Sequence, residues 1–216
     1  MGWKLAPDVT FCIASNKAIF LDVRADRYTR LPEHLNAPFV PWVSGNHPAE
    51  PCEAVAMLER AGLLEPVEGN AMPMPCGMVA ARSGVSPRRP GSAAALLESI
   101  LFRQALHRAR RRLARRRLFG ALTHVAMQRV ALRPYRDPRA ITAGLLAAGA
   151  ALGPGDDCLV RSLALVDRLH RAGSDGTIVL GVIAMPFGAH CWIQAGDHVL
   201  NDHVDRVSLF TPILVI

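Results

Sequence analysis

The chain has 216 residues, half of them apolar, and a formal charge of +7. That length suits one large domain or two small ones, and no apolar run reaches the roughly eighteen residues that a membrane-spanning helix needs. The first residues, Met1-Gly2-Trp3-Lys4-Leu5-Ala6-Pro7, lack an apolar signal core, and the five cysteines include no C-x-x-C pair. The expectation is therefore a cytoplasmic protein with reduced thiols.

Along the chain, Val9 to Ala14 and Ala18 to Val23 read as two strands around the turn Ser15-Asn16-Lys17. Arg27 to Leu31 reads as a third. The next segment, with Pro32, Pro38, Pro41 and Pro48, reads as broken. Ala49 to Ala61 has a helical pattern with Val55 and Leu58 on its apolar face and Gly62 as its C-terminal cap. Leu63 to Val67 reads as a short strand. Strands followed by helices make a small α+β unit of winged-helix type. Residues 69–92, rich in Gly, Pro, Met and Ser, read as a linker.

The charge is unevenly distributed. Between Arg82 and Arg139 lie fifteen arginines and two acids, Glu98 and Asp137, a balance of +13 that leaves −6 for the rest of the chain. Phe102, Leu106, Ala109 and Leu113 form a helical stripe in this segment, and a second helix is expected from Leu118 to about Leu132. The expectation is a solvated basic connector. A partner protein or an acidic membrane surface are the other readings. Nucleic acid is not expected, because aromatic interleaving is sparse and no base-reading motif is present.

The last third begins with a helix over 141–151, broken by Gly153-Pro154-Gly155. Asp156 or Asp157 is placed to cap a helix starting at Cys158 and ending by Gly173. Ile178 to Ile183, His190 to Gln194 and His198 to Asp202 read as strands, the last two joined by a hairpin turn at Ala195-Gly196-Asp197.

Cys158, His190 and Asp202 thus come from three elements and carry the parts of a cysteine-nucleophile triad. A helix N-terminus lowers a thiol pKa through its free N–H groups and its dipole. His190 would act as base and then acid, and Asp202 would orient it. Each residue also has a plainer reading: a small buried thiol, a structural histidine, a turn carboxylate with Asn201 and Asp205 as rivals. His190, Cys191, His198, Asp202 and His203 are rich in ligand atoms, but their spacing fits no zinc signature, so no metal is expected. Trp3 and Trp42 read as core or interface. Trp192 reads as active-site wall or core.

The segments Cys158-Leu-Val-Arg-Ser-Leu-Ala-Leu, Gly181-Val-Ile-Ala-Met-Pro-Phe-Gly-Ala-His190-Cys-Trp and Asn201-Asp202 closely resemble the lasso-peptide B proteins. These are transglutaminase-like cysteine peptidases that remove a leader from a ribosomally made precursor. Cys191 departs from the small residue often found after the histidine. Ala18-Ile-Phe-Leu-Asp-Val-Arg-Ala-Asp-Arg-Tyr-Thr-Arg-Leu-Pro is similar to the PqqD-like leader-recognition domain. The resemblance implies an α+β chain in three parts. These are a winged-helix-like PqqD-type domain over 1–80, a basic helical connector over 81–140 and a transglutaminase-like (papain-like) α+β domain over 141–216.

The resemblance further implies leader binding by strand addition at Tyr28, Thr29, Arg30 and Leu31, with Val55 and Leu58. Cleavage at the leader–core junction would use Cys158, His190 and Asp202. It implies two partners, the precursor peptide and an asparagine-synthetase-like macrolactam synthetase. ATP enters through that pathway; with no Walker motif, no cofactor is expected on this chain. The alternatives are a non-catalytic scaffold for peptide or nucleic acid, and an acyl transferase using the same triad.

Overall fold

The computed structural model describes residues 2–46, 52–77, 81–84, 92–129, 141–142 and 158–216. The chain divides into two compact units. The first takes Met1–Met78 with Val182–Gly188 and Thr211–Leu214; the second takes Val79–Gly181, Ala189–Phe210 and Val215–Ile216.

In the first unit β1 (Gly2–Leu5) pairs antiparallel with β5 (Leu64–Val67). A separate antiparallel sheet runs in the order β2 (Val9–Ala14), β3 (Lys17–Asp22), β4 (Arg27–Arg30). The β2–β3 turn puts Ser15 at φ 47° and Asn16 at φ 60°, the left-handed pair that matches strand twist in a two-residue hairpin.

Two helices follow, α1 (Glu33–Val43) and α2 (Cys52–Arg60). They contribute Phe39, Trp42, Val55 and Leu58 to a core that includes Phe11 and Phe20. The Phe11 and Phe20 rings stack at 5.1 Å, with Phe39 edge-on to Phe11 at 6.1 Å. Buried Asn36 fastens α1 to the hairpin. Its Oδ1 accepts from the Ala18 N–H at 2.8 Å, and its Nδ2 donates to the Asn16 carbonyl at 2.8 Å. Trp3 joins the same core. Gly62, at φ 69°, ends α2, with Leu63 N–H donating back to the Leu58 carbonyl at 2.9 Å.

The segment expected to be broken by prolines is α1. Pro32 lies just before the first turn, where no N–H is needed. Pro38 is exposed and Pro41 half-buried, whereas Leu35, Phe39, Val40, Trp42 and Val43 face the core. The backbone hydrogen bonds lost to the prolines would have used the carbonyls of His34 and Ala37, both exposed residues that water can serve. Burial of the opposite face outweighs the loss.

In the second unit α3 (Ser92–Arg129) runs to a break at Arg117 (φ 53°, ψ −168°) and continues. It packs along α4 (Cys158–Arg171). This corrects the expectation of a solvated connector. Phe102, Ala105, Leu106, Ala109, Leu118, Ala121, Leu122 and Val125 are buried, and the arginines flank that stripe.

Asp167 on α4, with 2% of its side chain exposed, lies 3.0 Å from Arg171 Nε, 3.5 Å from Arg108, and 3.8 Å from both Arg112 and His124. Arg168 pairs with Glu98 on α3 at 2.8 Å. Of the helix expected over 141–151, Ile141 and Thr142 are helical and buried; its remainder, the expected caps Asp156 and Asp157, and the tract beyond Arg129 lie outside the described residues.

A five-stranded sheet has the order β10 (Thr211–Val215), β7 (Thr177–Ile183), β8 (Gly188–Ala195), β9 (His198–Val199), β6 (Ser83–Gly84). β6 falls within the expected linker, yet it pairs parallel with β9. A short helix, α5 (Val204–Val207), precedes β10.

Candidate active site

α4 holds the thiol. Its residues Val160, Leu163, Ala164, Leu165, Val166 and Leu169 are buried, and Arg168, His170 and Arg171 end it in the turn where cations suit the dipole. Gly173, at φ 75°, follows, with Ser174 N–H closing on the Leu169 carbonyl at 2.9 Å. Cys158 stands in the first turn of this rigid helix. β8 supplies His190, 6% exposed. The loop after β9 supplies Asp202. It is set by the tight turn at Gly196 (φ 62°) and by the Leu200 N–H, which donates to the Ile193 carbonyl at 2.9 Å.

These three side chains meet. His190 Nε2 is hydrogen-bonded to Asp202 Oδ2. The ring also bonds the Cys158 thiol, which leaves Nδ1 for the sulfur. Asp202 Oδ1 accepts from the His203 N–H at 2.7 Å, fixing the carboxylate plane. Asn201 and Asp205 do not face the imidazole. Asn201 bonds the Ile193 N–H and Ser162, and exposed Asp205 accepts the Ser208 hydroxyl at its backbone carbonyl.

The electrostatics follow from these contacts. Burial opposes ionisation of Cys158. Hydrogen bonds from His190 and from the Cys191 and Leu159 N–H groups, with the imidazolium charge, outweigh it and hold the thiol below its usual range. Burial likewise opposes the charged His190, but Asp202 and Cys158 raise it to about 9. Asp202 is held below the usual carboxylate range, its burial overcome by His190 and the His203 N–H. Both shifts favour the charged pair, thiolate beside imidazolium, over the neutral one. By contrast, burial pushes Cys12 and Cys191 up to about 12 and raises Cys76.

Sequence reasoning missed part of the surround. The His190 ring neighbours Trp192, stacked at 6.1 Å, and Phe210 at 5.0 Å. Trp192 is both wall and core: it is 2% exposed, and its Nε1 donates to Gln194 Oε1 at 2.7 Å. Gly181 makes room for this arrangement. A Cβ there would meet Trp192 ring carbons at 2.7 Å and Phe210 Cβ at 2.9 Å. Phe210 carried no sequence signal, lying in a loop far along the chain. His198 and His203 are exposed, and among the described residues no group of three or more His, Cys, Asp or Glu is placed to hold a metal.

The residues expected to hold a leader lie in the first unit. Tyr28 is half-buried, its ring 5.3 Å from that of Phe187, and Arg30 donates to Met185 Sδ at 3.4 Å. Thr29 is half-buried on the same strand, β4, which ends the sheet. Leu31, Val55 and Leu58 are 3%, 1% and 0% exposed, and their side chains are spent in the core.

Comparison with known proteins places this geometry in context. A family model described as the transglutaminase-like superfamily matches residues 100–215, so the match takes in most of α3 as well as the site. The microcin J25-processing protein McjB of Escherichia coli is 41% identical over 60 residues, 26% of this chain and 29% of that protein. The chain thus matches less than a third of that relative's length. No solved structure matches.

Proposed function

Since the chain belongs to the transglutaminase-like superfamily, we propose that it is a cytoplasmic leader peptidase of a lasso-peptide pathway, working through an acyl-enzyme on Cys158. The observation that carries this reading is the hydrogen-bonded series Cys158–His190–Asp202 with its lowered thiol and raised imidazole. Partial likeness to a microcin-processing protein supports the pathway.

In this reading the thiolate attacks the carbonyl at the leader–core junction. The Leu159 and Cys191 N–H groups face the sulfur and stabilise its charge before attack. Imidazolium gives its proton to the leaving amine, the thioester forms, and neutral His190 then draws a proton from water to release the acid. Asp202 keeps the ring in the tautomer that serves the sulfur. No cofactor enters these steps.

β4 is the place for the leader. It is the end strand of its sheet among the described residues, the position at which a further strand is added in β-augmentation, with Tyr28, Thr29 and Arg30 setting register. A held leader raises the local concentration of the scissile bond. The freed core then passes to a macrolactam synthetase, the second partner.

The test offers the chain a lasso-precursor peptide and follows its cleavage by mass spectrometry. Cys158→Ala should abolish it; cleavage at the wild-type rate would remove the assignment. Hydrolysis and aminolysis share the acyl-enzyme, so a product carrying an added amine in place of a free carboxylate would turn the reading towards acyl transfer.

A further inference from the structure

Beside the triad runs a second set of hydrogen bonds, drawn from the same three elements that carry the triad. Ser162 is one helical turn beyond Cys158 on α4 and wholly buried. Its Oγ lies 3.0 Å from the Cys191 carbonyl, next to His190 in β8. The same Oγ lies 2.9 Å from Asn201 Nδ2, next to Asp202 in the loop. Asn201 Oδ1 accepts from the Ile193 N–H at 2.8 Å.

The direction of these bonds is forced. Ile193 N–H can only donate, so the Asn201 oxygen faces it and the amide NH2 faces Ser162. Ser162 accepts from that NH2, and its single proton is left for the Cys191 carbonyl. The Cys191 thiol also lies within reach of the Ser162 hydroxyl, but it is buried and stays protonated. One hydroxyl and one amide therefore join the three elements that carry nucleophile, base and orienting acid.

Cys191 is the point where this matters. Its carbonyl is held by Ser162 and its N–H faces the Cys158 sulfur. Without the hydroxyl, the Cys191 carbonyl and the Asn201 amide lose partners at a buried site, and the strand can relieve them only by moving. Movement of β8 carries both the Cys191 N–H and the His190 ring away from the thiol. We infer that Ser162 and Asn201 are positioning residues, fixing the separation of Cys158 and His190 without touching substrate. The inference rests on reading Cys158 as the nucleophile, but its first measurement needs no substrate.

The experiment uses the full chain as wild type, Ser162→Ala, Asn201→Ala and the double variant. Iodoacetamide labelling of Cys158 is followed by peptide mass spectrometry across pH, with circular dichroism to check folding. In each variant the acid limb of labelling should move up by about one pH unit, a roughly tenfold slower reaction at fixed pH below the limb. With precursor, kcat should fall by about 10- to 100-fold and KM stay unchanged, since a displacement of about 1 Å can cost a hundredfold.

The double variant should be little worse than the more damaged single one, because both act through one connection. A folded variant whose acid limb stays at the wild-type position overturns the inference, even if its melting temperature falls. Half-buried Asn201 keeps the test open if Ser162→Ala does not fold. If wild type and variants differ in labelling as stated but no precursor is cut, the peptidase reading fails and the positioning role stands.

Discussion

His190 has two neighbours that both favour its charged form, and this sets the pH range of the site. The thiolate–imidazolium pair holds from the lowered Cys158 value up to about 9, where His190 loses its proton. Precursor cleavage should therefore decline as the pH rises through about 9, because the leaving amine then lacks its acid. The check is kcat/KM against pH; an alkaline limb near the ordinary histidine value of 6.5 would mean that the ring is not paired. The sign for stability is the same. A raised histidine value stabilises the fold fully below 6.5, and that contribution is lost as the pH climbs through about 9. At the same scale, Cys12, Cys76 and Cys191 should alkylate slowly, because burial holds them protonated.

The element that organises the second unit is α4. One end presents Cys158, and near the other Asp167 sits among Arg108, Arg112 and His124 from α3 and Arg171 of α4 itself. Burial works against that carboxylate, and Arg171, Arg112 and Arg108 overcome it, so Asp167 is held below its usual range. Its stabilising effect is full above about 3.8 and is lost as the pH falls below that. Asp167→Asn should lower stability by about 3 kcal/mol, the loss typical of breaking a buried pair, measured by urea unfolding. A change under about 0.5 kcal/mol would mean that the exposed guanidiniums are screened into irrelevance.

The sequence made some elements legible and hid others, for physical reasons. Cys158 and His190 stand in segments whose own periodicity makes a helix and a strand, so their settings could be read locally. α1 was hidden because its prolines sit away from the core face, and a pattern search counts prolines before it knows which face is wet. β6 is two residues long and owes its existence to pairing with β9, far along the chain. Ser162 resembles any small residue of a buried helix until Asn201 arrives beside it.

At the scale of the molecule, the first unit is assembled from three stretches of chain. Thr10 Oγ1 donates to the Ile213 carbonyl at 2.7 Å, and Tyr28 meets Phe187, so both late segments touch the β2–β4 sheet directly. A domain ending at residue 80, as the resemblance suggested, omits both. Residues 1–80 expressed alone should therefore melt at a lower temperature than the same sheet in the full chain, or aggregate. Hydrogen exchange at β2–β4 is the readout, and equal protection in fragment and full chain would show that the late segments add nothing. The interleaving also has a consequence in time. Translation reaches residue 78 roughly 7 to 27 seconds before it reaches residues 211–214 at ordinary elongation rates. During that interval the early sheet waits without its covering segments, while Cys158, His190 and Asp202 are still being added. Under the proposed function, the strand offered to a leader and the residues offered for cleavage thus mature together, so that a nascent chain does not hold a precursor that it has no means to cut.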